Sequence, residues 1–403
     1  MPNSFNMKHI LKFICLAAVF LLADIPYLNS RPYSYANTFG PEERRRSLID
    51  AELDYVERTY GKSVNKRSSP PVVSSQKNAD QAKPKDTSYV QPKDKSSLKP
   101  MVDSSKNKLK YKNEYLNFQL EVLGGYRKDN MVWSIAGDET GQNPNILSEL
   151  TWEDLEMSQT TAKSRVIFFD YFVAEARGSY ADIYEGKNQD SDYAGNERTG
   201  EFSRSNNRAH DGETFDIEGS FGFRFPLKSD DDMLDDADNA WVTLMGGYSH
   251  HEQHLVITDG FQSIPAFGEF DDLNSRYTSE WKGPFVGLEF EARKEKLSGF
   301  IRGEYHWVDY YGVGNWNLRE EVSHPRSFEH IAKGKGLVLN LGGGYQITNW
   351  WEVNVEGTLQ RWTAGPGIDR TFFFNDAFIL ETQFNEVTWN SYSVMLGTTL
   401  SLF

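Results

Sequence analysis

The chain runs to 403 residues with a formal net charge of −15, and 38% of it is apolar, too little for the large dry cores of a soluble multidomain protein of this length. Aromatic residues reach 14%, which excludes a chain that is disordered throughout, and no apolar run approaches the ~20 residues of a membrane helix. Charge is split, with 18 Lys and Arg against 10 Asp and Glu in residues 31–112 but 23 against 47 in 113–403; a body so acidic excludes nucleic acid as a partner, because phosphate binding rests on basic surface.

Residues 1–30 read as an export signal. Lys8 and Lys12 stand at the head of a nearly unbroken apolar run from Ile10 to Ala23, which is too short to span a bilayer. Cys15 lies inside that run, after Phe13 and Ile14 rather than after the small residue of a lipoprotein processing site. Removal of the signal would leave a chain without cysteine, hence without disulfides or thiolate metal sites. Within 31–60, a short amphipathic helical segment, Ile49, Leu53, Val56 and Tyr60 fall on one helical stripe. Residues 61–112 are Lys, Ser, Pro, Gln and Asp with almost nothing apolar, a composition expected to form a disordered basic linker. Its charge suits an anionic periplasmic surface, and a solvated spacer accounts for it as well.

From 113 the period changes to two. Phe215, Ile217, Gly219, Phe221, Phe223 and Phe225 alternate with Asp216, Glu218, Ser220, Gly222 and Arg224, so one face of a strand is greasy and the other polar. The same pattern predicts strands at 114–126, 148–158, 165–179, 213–225, 240–251, 281–293, 298–309, 335–346, 350–362 and 387–403. Their connections alternate between long and short, the Asp-rich 226–239 excepted, as in outer-membrane barrels with long external loops and short periplasmic turns. Tyr305, Trp307, Trp350 and Trp351 fall where strands meet connections, as girdles at a membrane interface do. The terminal Phe403 suits delivery to the outer-membrane assembly machinery through the last strand, although Tyr392, Val394, Leu396, Leu400 and Leu402 are out of phase with it, which calls for a bulge or an unusual register. The expected fold is all-β: a transmembrane antiparallel β-barrel over 113–403 in the outer membrane of a Gram-negative bacterium. Ten strands is the first expectation and twelve the alternative. Asp216, Glu218, Arg224, Arg302, Glu304, Glu352 and Glu356 would line its lumen.

Several segments resemble the omptins, ten-stranded outer-membrane barrels that cleave peptides next to basic residues. They are Gly124-Gly125 followed by Arg127-Lys128-Asp129, ILSELTWEDL from Ile146 to Leu155, GKNQDSDYAG from Gly186, and RAHDGETFDIEGSFGF from Arg208. Their order and spacing carry the resemblance over most of 113–403. Without a diagnostic motif, the chain also resembles the porin family of Protochlamydia outer membrane proteins.

The omptin resemblance implies an Asp pair that holds a water and, across a cleft, an Asp-x-His couple whose imidazole acts as base. Asp190 and Asp192, followed by Tyr193, match the pair, and residues two apart on a strand share a face. The couple is missing, because Asn315 and Asn317 stand where it belongs. His210, beside Asp211, and His306, three before Asp309, are the substitute bases to consider. Ordinary loop formation accounts for Asp190 and Asp192 equally well. Asp129, Arg224, Arg302, Glu304, Asn315 and Asn317 are the binding candidates for a cleft or lumen. His250, Glu252 and His254 lack the further ligands of a zinc site, and the Asp230–Asp238 run lacks the glycine and terminal Glu of a calcium loop. No metal or cofactor is expected. A pore or passive transport protein is the first functional expectation. An endopeptidase with an incomplete catalytic set and a non-conducting structural or surface-binding barrel are the alternatives.

Overall fold

The structure, a computed structural model, describes residues 116–227, 239–373 and 378–402. The export signal, the helical segment of 31–60, the basic linker of 61–112, the Asp-rich stretch and Phe403 lie outside the described residues. The strands are β1 (Leu116–Ile135), β2 (Ser148–Phe168), β3 (Phe172–Gly195), β4 (Thr199–Leu227), β5 (Asn239–Ile264), β6 (Gly268–Phe270), β7 (Ser275–Lys294), β8 (Leu297–Asn315), β9 (Phe328–Thr348), β10 (Trp351–Ala364), β11 (Gly367–Phe373) and β12 (Phe378–Leu402).

These strands pair antiparallel in chain order, and β1 pairs β12 from Phe118 against Leu402 to Ile135 against Phe384, which closes the ring. Closure leaves the ring itself, among the described residues, no free edge to template aggregation. β6 only adds a short ribbon to β5. β11 continues the line of β10: Ala364 pairs Val387 and Gly334, and three residues on Gly367 pairs Phe384 and Ile368 pairs Ile331. The wall therefore has ten staves, as first expected, although twelve strands can be named. No bulge interrupts the β1–β12 pairing between Leu402 and Glu386, and Phe403, whose phase called for a bulge or an unusual register, lies outside the described residues.

Each expected strand overlaps one stave, and most staves are longer than expected. The expected strand 165–179, however, takes in the end of β2 and the turn at 169–171 before β3 starts at Phe172, because β2 continues through 159–164, a stretch read from sequence as a connection. The stretch 180–212, read from sequence as a long connection, is a hairpin: β3 runs to Gly195 and β4 starts at Thr199. Glu197 and Arg198 both adopt positive φ, 55° and 58°, the conformation of the tight turns whose twist matches paired strands. A strand needs about 9–11 residues to cross a bilayer. β4 has 29 and β5 has 26, so the wall rises well beyond the membrane. The short turns at 169–171, 295–296 and 349–350 share the opposite end, which is the periplasmic end of such barrels.

Polarity inverts along each stave. Near the short turns the outward face is apolar and exposed, as at Val122, Phe221, Leu244, Leu288 and Leu396, and it forms the band that faces lipid. The inward face there carries Glu121, Lys163, Glu175, Glu289 and Arg302. Higher up, the outward face carries Lys128, Glu280 and Lys282, while Met131, Trp133, Trp152, Tyr277 and Trp281 are buried inside as one hydrophobic cluster. Glycines on neighbouring strands make room for those rings: Gly336 lies under Trp362, Gly312 under Tyr277 and Gly314 under Phe328.

Candidate functional site: an outer cleft above a closed lumen

The lumen of the membrane half is held by ion pairs. Arg302 grips Glu175 at 2.6 and 2.9 Å and Glu289 at 2.8 and 2.6 Å. Lys163 bridges Glu121 at 2.7 Å and Glu356 at 3.1 Å, and Arg127 sits between Asp129 at 2.9 Å and Asp216 at 2.7 Å. Asp129 also accepts from Trp389 Nε1 at 2.9 Å and from Gln253 at 3.2 Å. Arg224 lies at the periplasmic end, 3.2 Å from Glu291 and stacked 4.0 Å over Trp241. Glu352 accepts from Arg293 and Ser298. The residues expected inside are therefore inside, yet they pair with one another across the lumen. They do not stand free along an open channel.

Above this network Trp281, Trp362 and Trp389 are fully buried, with ring centres 5.5 to 6.0 Å apart. His251 and His306 pack against Trp362 from below, at 4.5 and 4.8 Å. His306 is bonded to Ser249 at 2.9 Å and lies 3.4 Å from Glu304, so it belongs to the lumen and not to a cleft. A periplasmic cavity of about 90 Å³ and an internal one of about 20 Å³ lie beneath the tryptophans. A third, of about 70 Å³, opens above them.

The upper cavity is the candidate site. Asp190 and Asp192 of β3 pair with Leu150 and Ser148 of β2 and face inward into it, as their spacing predicts. Trp133 and Trp316 also line it, and so do His330 of β9 and Asp369 of β11. His330 Nε2 lies 3.3 Å from Asp369 Oδ1, and neither atom has a hydrogen-bond partner among the described residues. The Thr382 hydroxyl donates to Asp369 Oδ2 at 2.8 Å. On its other side, His330 Nδ1 is 2.8 Å from the Tyr277 hydroxyl, which is 2.5 Å from that of Tyr310. Burial, then the neighbouring Tyr310 and Asp369, hold the Tyr277 phenol well above its ordinary pKa, so it stays protonated.

The structure does not bring the other sequence candidates here. His210 turns away, beside the inward Ala209, toward Asp211 at 3.8 Å and Asp259 at 4.0 Å. Asn317 braces a loop by accepting from Asn274 N and Ser275 and donating to the Asp272 carbonyl. Asn315 bonds His324 at 2.8 Å. Sequence reasoning missed His330, Asp369 and Tyr277. The signal available was the inward phase that His330 shares with Ala332 and Gly334 on β9.

A closed antiparallel ring with a lipid-facing band and a polar lumen defines an outer-membrane β-barrel. The family model of the Protochlamydia outer membrane protein matches residues 121–402, and the chain belongs to that family. Among curated proteins, none matches. The outer membrane protease OmpT from Escherichia coli has a similar fold, with a TM-score of 0.57 at 17% identity, over 72% of this chain and 98% of that one. The translocator domain of the autotransporter NalP from Neisseria meningitidis gives a TM-score of 0.30 at 10% identity, over 70% and 88%. OprG from Pseudomonas aeruginosa gives 0.24 at 9%, over 70% and 95%. At these identities the likeness concerns fold alone.

Proposed function

We propose that the protein is a passive transport barrel whose path is shut by the tryptophan layer and by the ion pairs beneath it, and opens when the layer moves and those pairs hydrate. The observation that carries this reading is the charged lumen of the membrane half. Buried ion pairs are often no better for stability than apolar residues of similar volume, and cavities of about 90 and 20 Å³ interrupt the packing there, as suits a path that hydrates. In the same reading, residues 1–30 direct export from the cytoplasm of a Gram-negative cell, and the last strand engages the assembly machinery. The basic linker of 61–112 meets an anionic periplasmic surface. Swelling of phosphatidylcholine liposomes tests the path. Trp362→Ala with Trp389→Ala should admit small sugars much faster than wild type, and equal rates would defeat the reading.

A second reading is favoured by one observation: Asp190 and Asp192 share their cavity with His330 and Asp369. Peptide hydrolysis there would use the Asp pair to hold water and His330 as base, in place of the couple missing at Asn315 and Asn317. A fluorogenic peptide with paired arginines tests it. Cleavage lost in both Asp192→Asn and His330→Ala would support hydrolysis, and an inert wild type would remove it.

A further inference from the structure

Above the apolar band, most outward cations stand beside a carboxylate. Lys128 lies 2.6 Å from Asp154, and Arg208 lies 3.7 Å from Glu185. Lys282 is paired with Glu280, and Lys333 with Asp309. Lys335 and Arg361 differ, since neither forms an ion pair among the described residues. They sit on adjacent staves: Lys335 pairs Thr363, and Arg361 pairs Leu337. That diagonal relation puts side chains about 7–8 Å apart. Across β8, Lys335 is opposite Trp307, which is 50% exposed and packs 4.8 Å from Tyr305. On the membrane side of both cations follow Leu339, Leu359 and Val355, all exposed toward lipid tails.

The two unpaired cations therefore stand where an aromatic girdle ends, at headgroup depth. Long basic side chains lay their stems along apolar surface and keep their charge at the interface, and a guanidinium offers a phosphate two parallel donors. We propose that Lys335 and Arg361 bind the phosphate of a lipid headgroup in the outer leaflet, seating one lipid on the wall of β8, β9 and β10. The wall of β3 to β7 does not offer such a seat, because Asp182 faces Glu213 and Glu252 faces Glu280 there.

Native mass spectrometry of the full chain in neutral detergent tests this, with phosphatidic acid, diacylglycerol or inorganic phosphate added as probe. A heat-dependent gel shift verifies that each variant is folded. Phosphatidic acid should be retained by wild type and lost about 25-fold in Lys335→Gln with Arg361→Gln, at about 1 kcal/mol per cation near a charged surface. Each single variant should show part of the loss, which keeps the test open if the double variant does not fold. Lys282→Gln should retain wild-type binding. Undiminished retention in the folded variants would overturn the proposal. So would equal retention of diacylglycerol, which has no phosphate, and displacement of the lipid by an equal concentration of inorganic phosphate would assign the site to the free ion instead.

Discussion

The membrane half and the outer half of this barrel use the same staves and the same alternation with opposite polarity. On β7, Leu288 and Val286 face lipid while Glu289 points inside; a few residues along, Glu280 and Lys282 face water while Trp281 and Tyr277 are buried. Alternation reports only that the two faces differ, and the medium outside decides which of them is the greasy one. The two interiors are consequently held by different forces. Below the tryptophan layer, charges depend on specific partners; above it, rings pack against rings and glycines.

That contrast can be broken or sharpened by substitution. The largest effect should come from Arg302→Ala, which takes the closest partner from Glu175, 2.6 Å away, and leaves Arg165 as the one arginine shared by Glu175 and Glu289. It should cost about 3–5 kcal/mol, read by urea unfolding of the refolded barrel in detergent. Replacing Arg302, Arg165, Glu175 and Glu289 together by Met and Leu, so that no member of the cluster keeps a charge without its partner, should recover most of that loss. Failure to recover would mean that the network does more than neutralise its own charges. Next, Leu396→Arg on the lipid face should cost about 2–4 kcal/mol in the same assay run in lipid vesicles. Tyr277→Phe should cost about 0.5–1.5 kcal/mol in thermal unfolding, the worth of a typical hydrogen bond. The smallest effect should be Lys282→Leu, outward in the outer half, at within about 0.5 kcal/mol. Equal losses for Leu396→Arg and Lys282→Leu would erase the distinction between the two outer faces.

The sequence was most legible where lipid sets the outside. Phe215 to Phe225 alternates so regularly that strand, phase and inward residues follow from it, and Asp216, Glu218 and Arg224 are inside as read. The outer half was not legible in this way. Gly186, Asn188, Asp190 and Asp192 carry no apolar alternation, so the segment resembles a loop, yet pairing of Lys187 through Asp192 with both β2 and β4 keeps it in strand. The same effect hid half of the candidate site. Asp190 and Asp192 could be placed on one face from their spacing alone. His330 lies in a stretch read as a connection, since the apolar pattern of β9 starts only near Leu337, and Asp369 lies on β11, which has no counterpart in the expected strands. Asn315 and Asn317 were placed by spacing to a family pattern, which says nothing of the loop braces they form.

Single-channel recording in planar bilayers tests most directly whether the tryptophan layer is the gate between the outer cleft and a lumen whose ion pairs hydrate when it opens. Wild type should remain mostly silent with brief discrete steps, and Trp362→Ala with Trp389→Ala should give long-lived steps of defined size. Steady, equal conductance in wild type and variant would contradict the account, as would silence in both from protein shown to be folded and inserted.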